Sequence, residues 1–376
     1  MSQRLRSYVR CVRSSAIAAL VILGIMWSAS ESFTALRASD QSAQTPLAAL
    51  ATGFTLDGPF THANLTIYVV RGSTSDARDY ITLDEGLAAR TVAVREKGTA
   101  ARQDQAEVNT LEIENRSDKW LFLQAGDIVK GGKQDRTIMT DLTLAPRSGP
   151  QPLQAFCVEH GRWIPGGDGL AFLNNPGIVA GARLKMAIQS DKSQPRVWQE
   201  VAKAEERAVK AARAGGALLA ADASLSSTGT YNAIAENTTL SASRGAYVTA
   251  LLPHIRKYNN AIGLAIGING KVTSADVYAS PALFQRLSGK LLSSYALEGL
   301  LARDASPQAT VPTKEQVIAF LSKPAAARAA TETVGTSMQR STRETDDAVM
   351  YEYGHLNQPT SARQGVVVVH QSYLKK

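Results

Sequence analysis

The sequence is poor in cysteine: Cys11 and Cys157 are the two in 376 residues. Cys11 lies in an N-terminal stretch that reads as a leader. Once that stretch is removed, Cys157 stands alone and no intramolecular disulfide can form. A lone thiol in an oxidising compartment is either well buried or deliberately reactive. Histidine is scarce as well, with five in the chain. Cys157-x-x-His160 has the outline of half a zinc site, but His62, His254, His355 and His370 form no ligand-spaced pair, so no metal site is expected. There is no dense Lys/Arg stripe with interleaved aromatics, which argues against nucleic acid as a partner. No serine stands in a nucleophile elbow. "GLAIGINGK" (263–271) resembles a phosphate loop only superficially. Ala265 stands where the fingerprint needs its first glycine, and Val272 where it needs Ser or Thr.

What is present is ordinary globular composition, 44% hydrophobic and 20% charged, long enough for one large domain or two modest ones. Arg4, Arg6, Arg10 and Arg13, with no acid among them, precede the apolar run Ala16–Trp27, and the small residues "SASES" follow. That is the order of a secretory signal. The apolar run is short for a membrane span, which needs about 20 residues. Residues 1–30 are therefore expected to direct export to the periplasm or the extracellular space. The alternative is an uncleaved anchor through 16–27, the chain's one expected contact with membrane. Residues 31–45, rich in Ser, Ala, Gln and Thr, read as a linker. The formal charge of +8 loses half its excess with the four leader arginines, so it speaks for solubility and not for a polyanionic partner.

Beyond the linker, runs rich in β-branched and aromatic residues and bounded by turn residues predict strands at 64–70, 91–96, 108–115, 119–124, 136–144 and 152–159. "NRSD" (115–118) reads as a hairpin turn between two of them. Helical spacing appears at 177–189 and, more strongly, at 196–214, while 215–239 reads as a loop or loosely ordered insertion. A helix over 243–258 carries Pro253 as a kink. Asn269-Gly270 signals a type I′ hairpin turn, which needs positive φ at both residues. Ser280 then Pro281 read as N-cap and first residue of a helix reaching about Ala302. A short helix capped by Thr313 spans 313–322. Strands are expected again at 331–340, 348–355 and 365–374. Strands, then helices, then strands predict an α+β protein. Its first half is a largely antiparallel sheet, helices are inserted in the middle, and the C-terminal strands rejoin the sheet in one domain over 46–376.

Two stretches carry candidate chemistry. "AGDIVKGGKQDR" (125–136) reads as a glycine-rich loop between strands. Gly126, Gly131 and Gly132 let the backbone turn sharply, and Asp127, Gln134 and Arg136 supply polar ends. Arg136 suits a bidentate anion clamp or, the reading that turn composition favours, a structural salt bridge. "CVEHGRW" (157–163) reads as a strand ending near Gly161. Strand alternation places Cys157 and Glu159 on one face and Phe156 and Val158 on the other, which separates Cys157 from His160 and weakens a Cys–His nucleophile pair. Asp127, Glu159, Asp168 and Asp276 are all candidates for acid–base work, and spacing in sequence does not choose among them.

The two stretches together resemble the ARG and rhodanese-phosphatase-superfamily-associated protein domain family. That pattern places Gly-acid near a strand end, then Gly-Gly-Lys-Gln-x-Arg, then Cys-Val-Glu-x-Gly-Arg-Trp about twenty residues on. The chain supplies Gly126, Asp127, Gly131, Gly132, Lys133, Gln134, Arg136, Cys157, Glu159, Gly161, Arg162 and Trp163. "SYALEGL" and the Asn-rich turn after "HIRKY" fit too, so the resemblance covers most of residues 60 to 376. It implies no particular reaction and names no cofactor. It implies that the two motifs act together and, because position 160 varies in the pattern, takes weight off His160. The expectation is a binding or sensing module with one polar pocket walled by 126–136 and 157–163. Arg136 and Arg162 would hold a small polar or anionic ligand, Gln134 and Asp127 would orient it, and Trp163 would pack behind. The alternative is a hydrolase or transferase using Glu159 or Cys157 there, and a third reading makes both motifs purely structural.

Overall fold

"LTIYVVR" and "AIGLAIGI" are apolar at nearly every position, the pattern of strands covered on both faces. In the computed structural model, which describes residues 53–73, 75–97, 109–160, 171–214, 229–303, 310–356 and 366–376, they form β2 (Leu65–Arg71) and β12 (Ala261–Ile268). Both are interior strands of an eight-stranded sheet. Its other members are β1 (Thr55–His62), β13 (Lys271–Tyr278), β14 (Ala329–Val334), β15 (Met338–Glu344), β16 (Ala348–Leu356) and β17 (Val366–Lys375). The order is β1-β2-β12-β13-β17-β16-β15-β14, antiparallel at each pairing. The C-terminal strands do join the strands from the start of the described chain, and the fold is α+β. The described residues all belong to one unit, Gln44–Lys376.

Alternation decides what covers each face of this sheet. Leu65, Ile67 and Val69 face a core built with α5 (Thr238–Arg256) and α6 (Pro281–Leu301). Tyr68 and Val70 face α7 (Lys314–Ala325) through Val317, Phe320 and Leu321. Helix α6 starts as the sequence predicts, with the Ser280 hydroxyl accepting from Leu283 N–H and Pro281 in the first turn. It is apolar on several sides because it is wedged between the sheet, α5 and the rest of the molecule. Each large apolar side chain it buries contributes about 1.5–3 kcal/mol.

Six further strands make a second body: β4 (Val92–Glu96), β5 (Thr110–Asn115), β7 (Asp127–Gly131), β8 (Arg136–Ile138), β10 (Ser148–Cys157) and β11 (Phe172–Val179). They run in the order β11-β7-β8-β10-β5-β4, all antiparallel. An antiparallel bridge between Arg95 and Ala171 joins the last strand to the first, closing them into a small barrel. Leu111, Ile113, Leu153, Ala155 and Phe172 fill its inside. Ile128, Phe156 and Val158 point outward to α3 (Gln194–Ala214) and α4 (Tyr231–Glu236). A small sheet of β3 (Tyr80–Thr82), β6 (Trp120–Leu123) and β9 (Leu142–Leu144) completes the β structure; β3 and β6 are its parallel pair. Two short helices remain, α1 (Leu83–Ala88) and α2 (Ala182–Met186), the second running into a π turn at Ala187–Asp191.

Several local expectations are corrected. Residues 125–136 are not one loop: β7 occupies Asp127–Gly131, and the turn is confined to 132–135. "NRSD" is no hairpin. It hands the chain from the barrel to the small sheet, with the buried Asn115 amide donating to the carbonyls of Lys119 and Ala145, each at 2.9 Å. The run 136–144 divides into β8 and β9 of different sheets. Gly177–Val179 is strand, not helix, and 331–340 is a hairpin turning at Gly335, whose φ is +58°. Within 215–239, residues 231–236 are helical and α5 has begun by Thr238; α5 runs through Pro253. Residues 215–228, and the leader and linker, lie outside the described residues.

Candidate functional site

The direction of each barrel strand assembles the two motifs. Strands β4, β7 and β10 all end at one mouth of the barrel, and β5, β8 and β11 all begin there, as the pairings Glu96–Leu111, Arg136–Cys157 and Phe172–Gly131 establish. The strand ends Glu96, Gly131 and Cys157 and the strand starts Thr110, Arg136 and Phe172 therefore gather at this one mouth, where the 132–135 turn lies. Paired residues share a face, so Arg136 and Cys157 point the same way, into the barrel with Ala155 and Leu153. Glu159 continues that face two residues on.

At this mouth the polar groups are buried and interlocked. The Arg136 side chain has no exposed surface, and its Nη2 lies 3.3 Å from Glu96 Oε1. Its Nη1 donates to the Gln134 carbonyl at 2.7 Å. Glu96 Oε1 also accepts from Lys133 N–H at 2.9 Å. Asp135 is the knot of the turn. Its carboxylate accepts from Gly131 N–H at 2.9 Å, from the Thr230 hydroxyl at 3.0 Å and from the Asn232 amide at 2.5 Å. Its own N–H donates to Glu159 Oε2 at 3.0 Å. Two atoms are left over. Arg136 Nε has no acceptor and Glu96 Oε2 no donor, though both are buried.

The glycines have the role the sequence suggests. Gly131 and Gly132 hold φ of +120° and +56°, and a Cβ on Gly132 would stand 2.3 Å from Phe172 Cζ and 2.8 Å from Glu96 Oε1. Gly126, φ +91°, brings the chain against Val179 and Ala180. Asp127, by contrast, sits at the far end of β7. Its carboxylate accepts from Gln124 N–H and from Lys290, at 2.9 and 2.8 Å. Lys290 on α6 bridges on to Asp84, 2.7 Å away, and these two carboxylates outweigh the effect of burial and raise its pKa. Asp127 is thus brought to α6 and not to the mouth. Cys157 is fully buried, burial pushes its thiol pKa up, and its backbone N–H and C=O are both bonded by the Gln194 side chain. Gln134 is buried. Gly161, Arg162, Trp163 and Asp168 lie outside the described residues.

A second polar cluster, between the large sheet and the other elements, has no motif. His370 on β17 places Nδ1 2.6 Å from Asp141 and Nε2 3.1 Å from Asp276. Asp276 also meets Lys185 at 3.3 Å and accepts from the Tyr295 hydroxyl. Burial alone would lower the His370 pKa, but the two carboxylates outweigh it and raise it to about 9. Burial works against the charged form of Asp276, yet Lys185 and His370 hold its carboxyl far below the usual range. Tyr278 stacks on His370 with centroids 4.3 Å apart and donates to Gln124 at 2.6 Å. The sequence marked Asp276 but not Glu96, Asp135, Lys290 or His370. Alternating strand patterns flag buried positions, and a charged residue at a buried position was the one available signal.

The fold and the mouth define an α+β protein in which a small barrel, polar inside at one end, is fused to a large antiparallel sheet. A family model described as the ARG and Rhodanese-Phosphatase-superfamily-associated Protein domain matches residues 53–373, and the chain belongs to that family. No curated protein and no solved structure matches it significantly. Among the described residues no helix is long and apolar enough to cross a membrane, and no group of His, Cys, Asp or Glu is arranged to hold a metal ion.

Proposed function

We propose that the chain is an exported binding or sensing module whose small polar or anionic ligand sits at the polar mouth of the barrel. The observation that carries this is the pair of unmatched atoms there. A buried donor or acceptor without a partner costs on the order of 1–3 kcal/mol. Both atoms are buried, so a ligand reaches them only as the mouth opens; one that then offers an acceptor to Arg136 Nε and a donor to Glu96 Oε2 removes both penalties. Barrel mouths are common ligand sites, and a turn such as 132–135 held on a rigid scaffold suits recognition. Gly131, Gln134 and Arg136 of one motif and Cys157 and Glu159 of the other lie at this mouth.

The test is a thermal-shift panel of small carboxylates, phosphates and carboxamides on the purified chain. At least one should raise Tm in proportion to the logarithm of its concentration, and Glu96→Gln should remove that shift. A panel with no hit, or a shift unchanged in folded Glu96→Gln, sinks the reading. Glu159→Gln separates binder from catalyst: a binder keeps its ligand-induced shift, whereas a hydrolase or transferase using Glu159 loses turnover. The Cys157 alternative has less support, because nucleophilic thiols have lowered pKa values and this one is raised. Iodoacetamide under native conditions should leave Cys157 unlabelled. Export rests on the order of residues 1–30. Fractionation of expressing bacteria with N-terminal sequencing tests it, and a cytosolic chain retaining Met1 would end it.

A further inference from the structure

Away from the barrel, a groove of about 730 Å³ is lined by residues 72–73, 76–79 and 259–260 and by the start of α6. Ser73, Asn259, Asn260, Ser280 and Gln285 supply neutral polar lining, Arg78 a cation, and Asp76 and Asp79 carboxylates. We propose that this groove is a second binding site, taking the oxyanion of a small carboxylate or phosphate on Arg78.

Arg78 is held on two sides. Its Nη1 donates to Asp76 Oδ1 at 2.9 Å, and its backbone N–H donates to the same oxygen at 3.1 Å. Its guanidinium lies over the Trp120 ring, 5.1 Å from the centroid. Asp76 is itself buried and fixed from behind: its Oδ2 accepts from the Tyr80 hydroxyl at 2.5 Å, and that hydroxyl lies 3.2 Å from His355 Nε2. An arginine normally gives up much rotamer entropy when it is ordered. Here the ordering is already done by Asp76 and Trp120, while 26% of the side chain stays exposed and Arg78 lines the groove. A guanidinium fixed on two sides and open on a third is prepared for a planar or tetrahedral oxyanion.

Each of the two acids that line the groove has a cation partner. Asp76 is engaged by Arg78 and Tyr80, and Asp79, the other acid on this wall, is paired with Lys119 at 2.8 Å. The remaining polar lining is neutral amide and hydroxyl. The facing wall adds the positive end of the α6 dipole. Nothing here depends on the barrel mouth, so the two sites stand or fall separately.

The experiment is calorimetric titration of the full chain with inorganic phosphate, acetate and succinate at constant ionic strength, with tryptophan fluorescence in parallel. At least one anion should bind saturably, and Arg78→Gln should weaken it about tenfold or more. Ala282→Glu should do the same. Position 282 is exposed in the first turn of α6, where a carboxylate favours the helix, so its loss of binding is not a loss of fold. Trp120→Phe should remove the fluorescence response and keep the heat. A preference for phosphate assigns a phosphorylated ligand, and a preference for acetate or succinate a carboxylic acid. The proposal is overturned if none of the three anions binds saturably. It is equally overturned if either charge variant, folded by circular dichroism, binds as the parent does.

Discussion

The imidazole of His370 is gripped by two carboxylates inside the molecule, and that geometry has a pH signature. Its pKa of about 9 when folded exceeds the ordinary value of about 6.5. The resulting stability is complete below about pH 6.5, drains away as pH rises, and is gone above about 9. The shift corresponds to roughly 3 kcal/mol. Urea midpoints at constant ionic strength should fall across this window, and His370→Gln should flatten the curve; a flat parent curve refutes it. Glu352 behaves oppositely to a salt-bridged acid. Burial raises its pKa to about 7, so the charged form is strained in the folded state, and stability falls as pH climbs from about 4.5 to 7. Glu352→Gln keeps an acceptor for the Gln371 amide and should raise Tm at pH 8 more than at pH 5. An equal change at both pH values argues against this. Neither residue stood out in the sequence, because the partners of each are distant in sequence: Asp141 and Asp276 for His370, and Gln371 for Glu352.

At the scale of the element, the β7–β8 turn is the most demanding feature. Gly131 has a φ of +120° that L side chains rarely adopt. Gly131→Ala should cost on the order of 2 kcal/mol, whereas Gly149→Ala, with open space around its Cβ, should stay within about 0.5 kcal/mol. Comparing the two denaturation curves decides it; equal costs would mean that the turn is not what constrains Gly131. Turns with a local chemical cause were legible. Asn269 and Gly270 both hold positive φ, as the dipeptide predicts, and the caps at Ser280 and Thr313 form where their residues stand. Elements defined by their partners were not. Nothing local in "RTIMTDLTL" divides it into strands of two different sheets. Nothing in "TETVGTSMQR" announces a hairpin beyond one glycine.

At the scale of the whole molecule, one continuous apolar core runs from Leu111 and Leu153 in the barrel to Leu264, Tyr351 and Val369 in the large sheet. Helix α6 packs against both bodies. They should unfold as one cooperative unit, with far-ultraviolet circular dichroism and tryptophan fluorescence giving superimposable urea curves. Two resolved transitions would show that barrel and sheet are separable. Lys290 is the ionic counterpart of that core. Lys290→Met strands Asp84 and Asp127 without their cation and should cost about 3–5 kcal/mol.

The sequence by itself determined the class of fold, most element types, the glycine positions and the family, because these follow from periodicity, turn chemistry and short motifs that neighbouring residues carry together. It also showed that Cys157 and Glu159 share a face. Only the tertiary structure decided that six strands close into a barrel, and that the Gly-Gly-Lys-Gln turn meets the strand end at its mouth. It alone turned Asp127 to α6, paired Arg136 with Glu96, and placed His370 between Asp141 and Asp276. The physical reason is the same in each case. A buried charge is stable only against a particular partner, and that partner is supplied by chain topology, not by proximity in sequence.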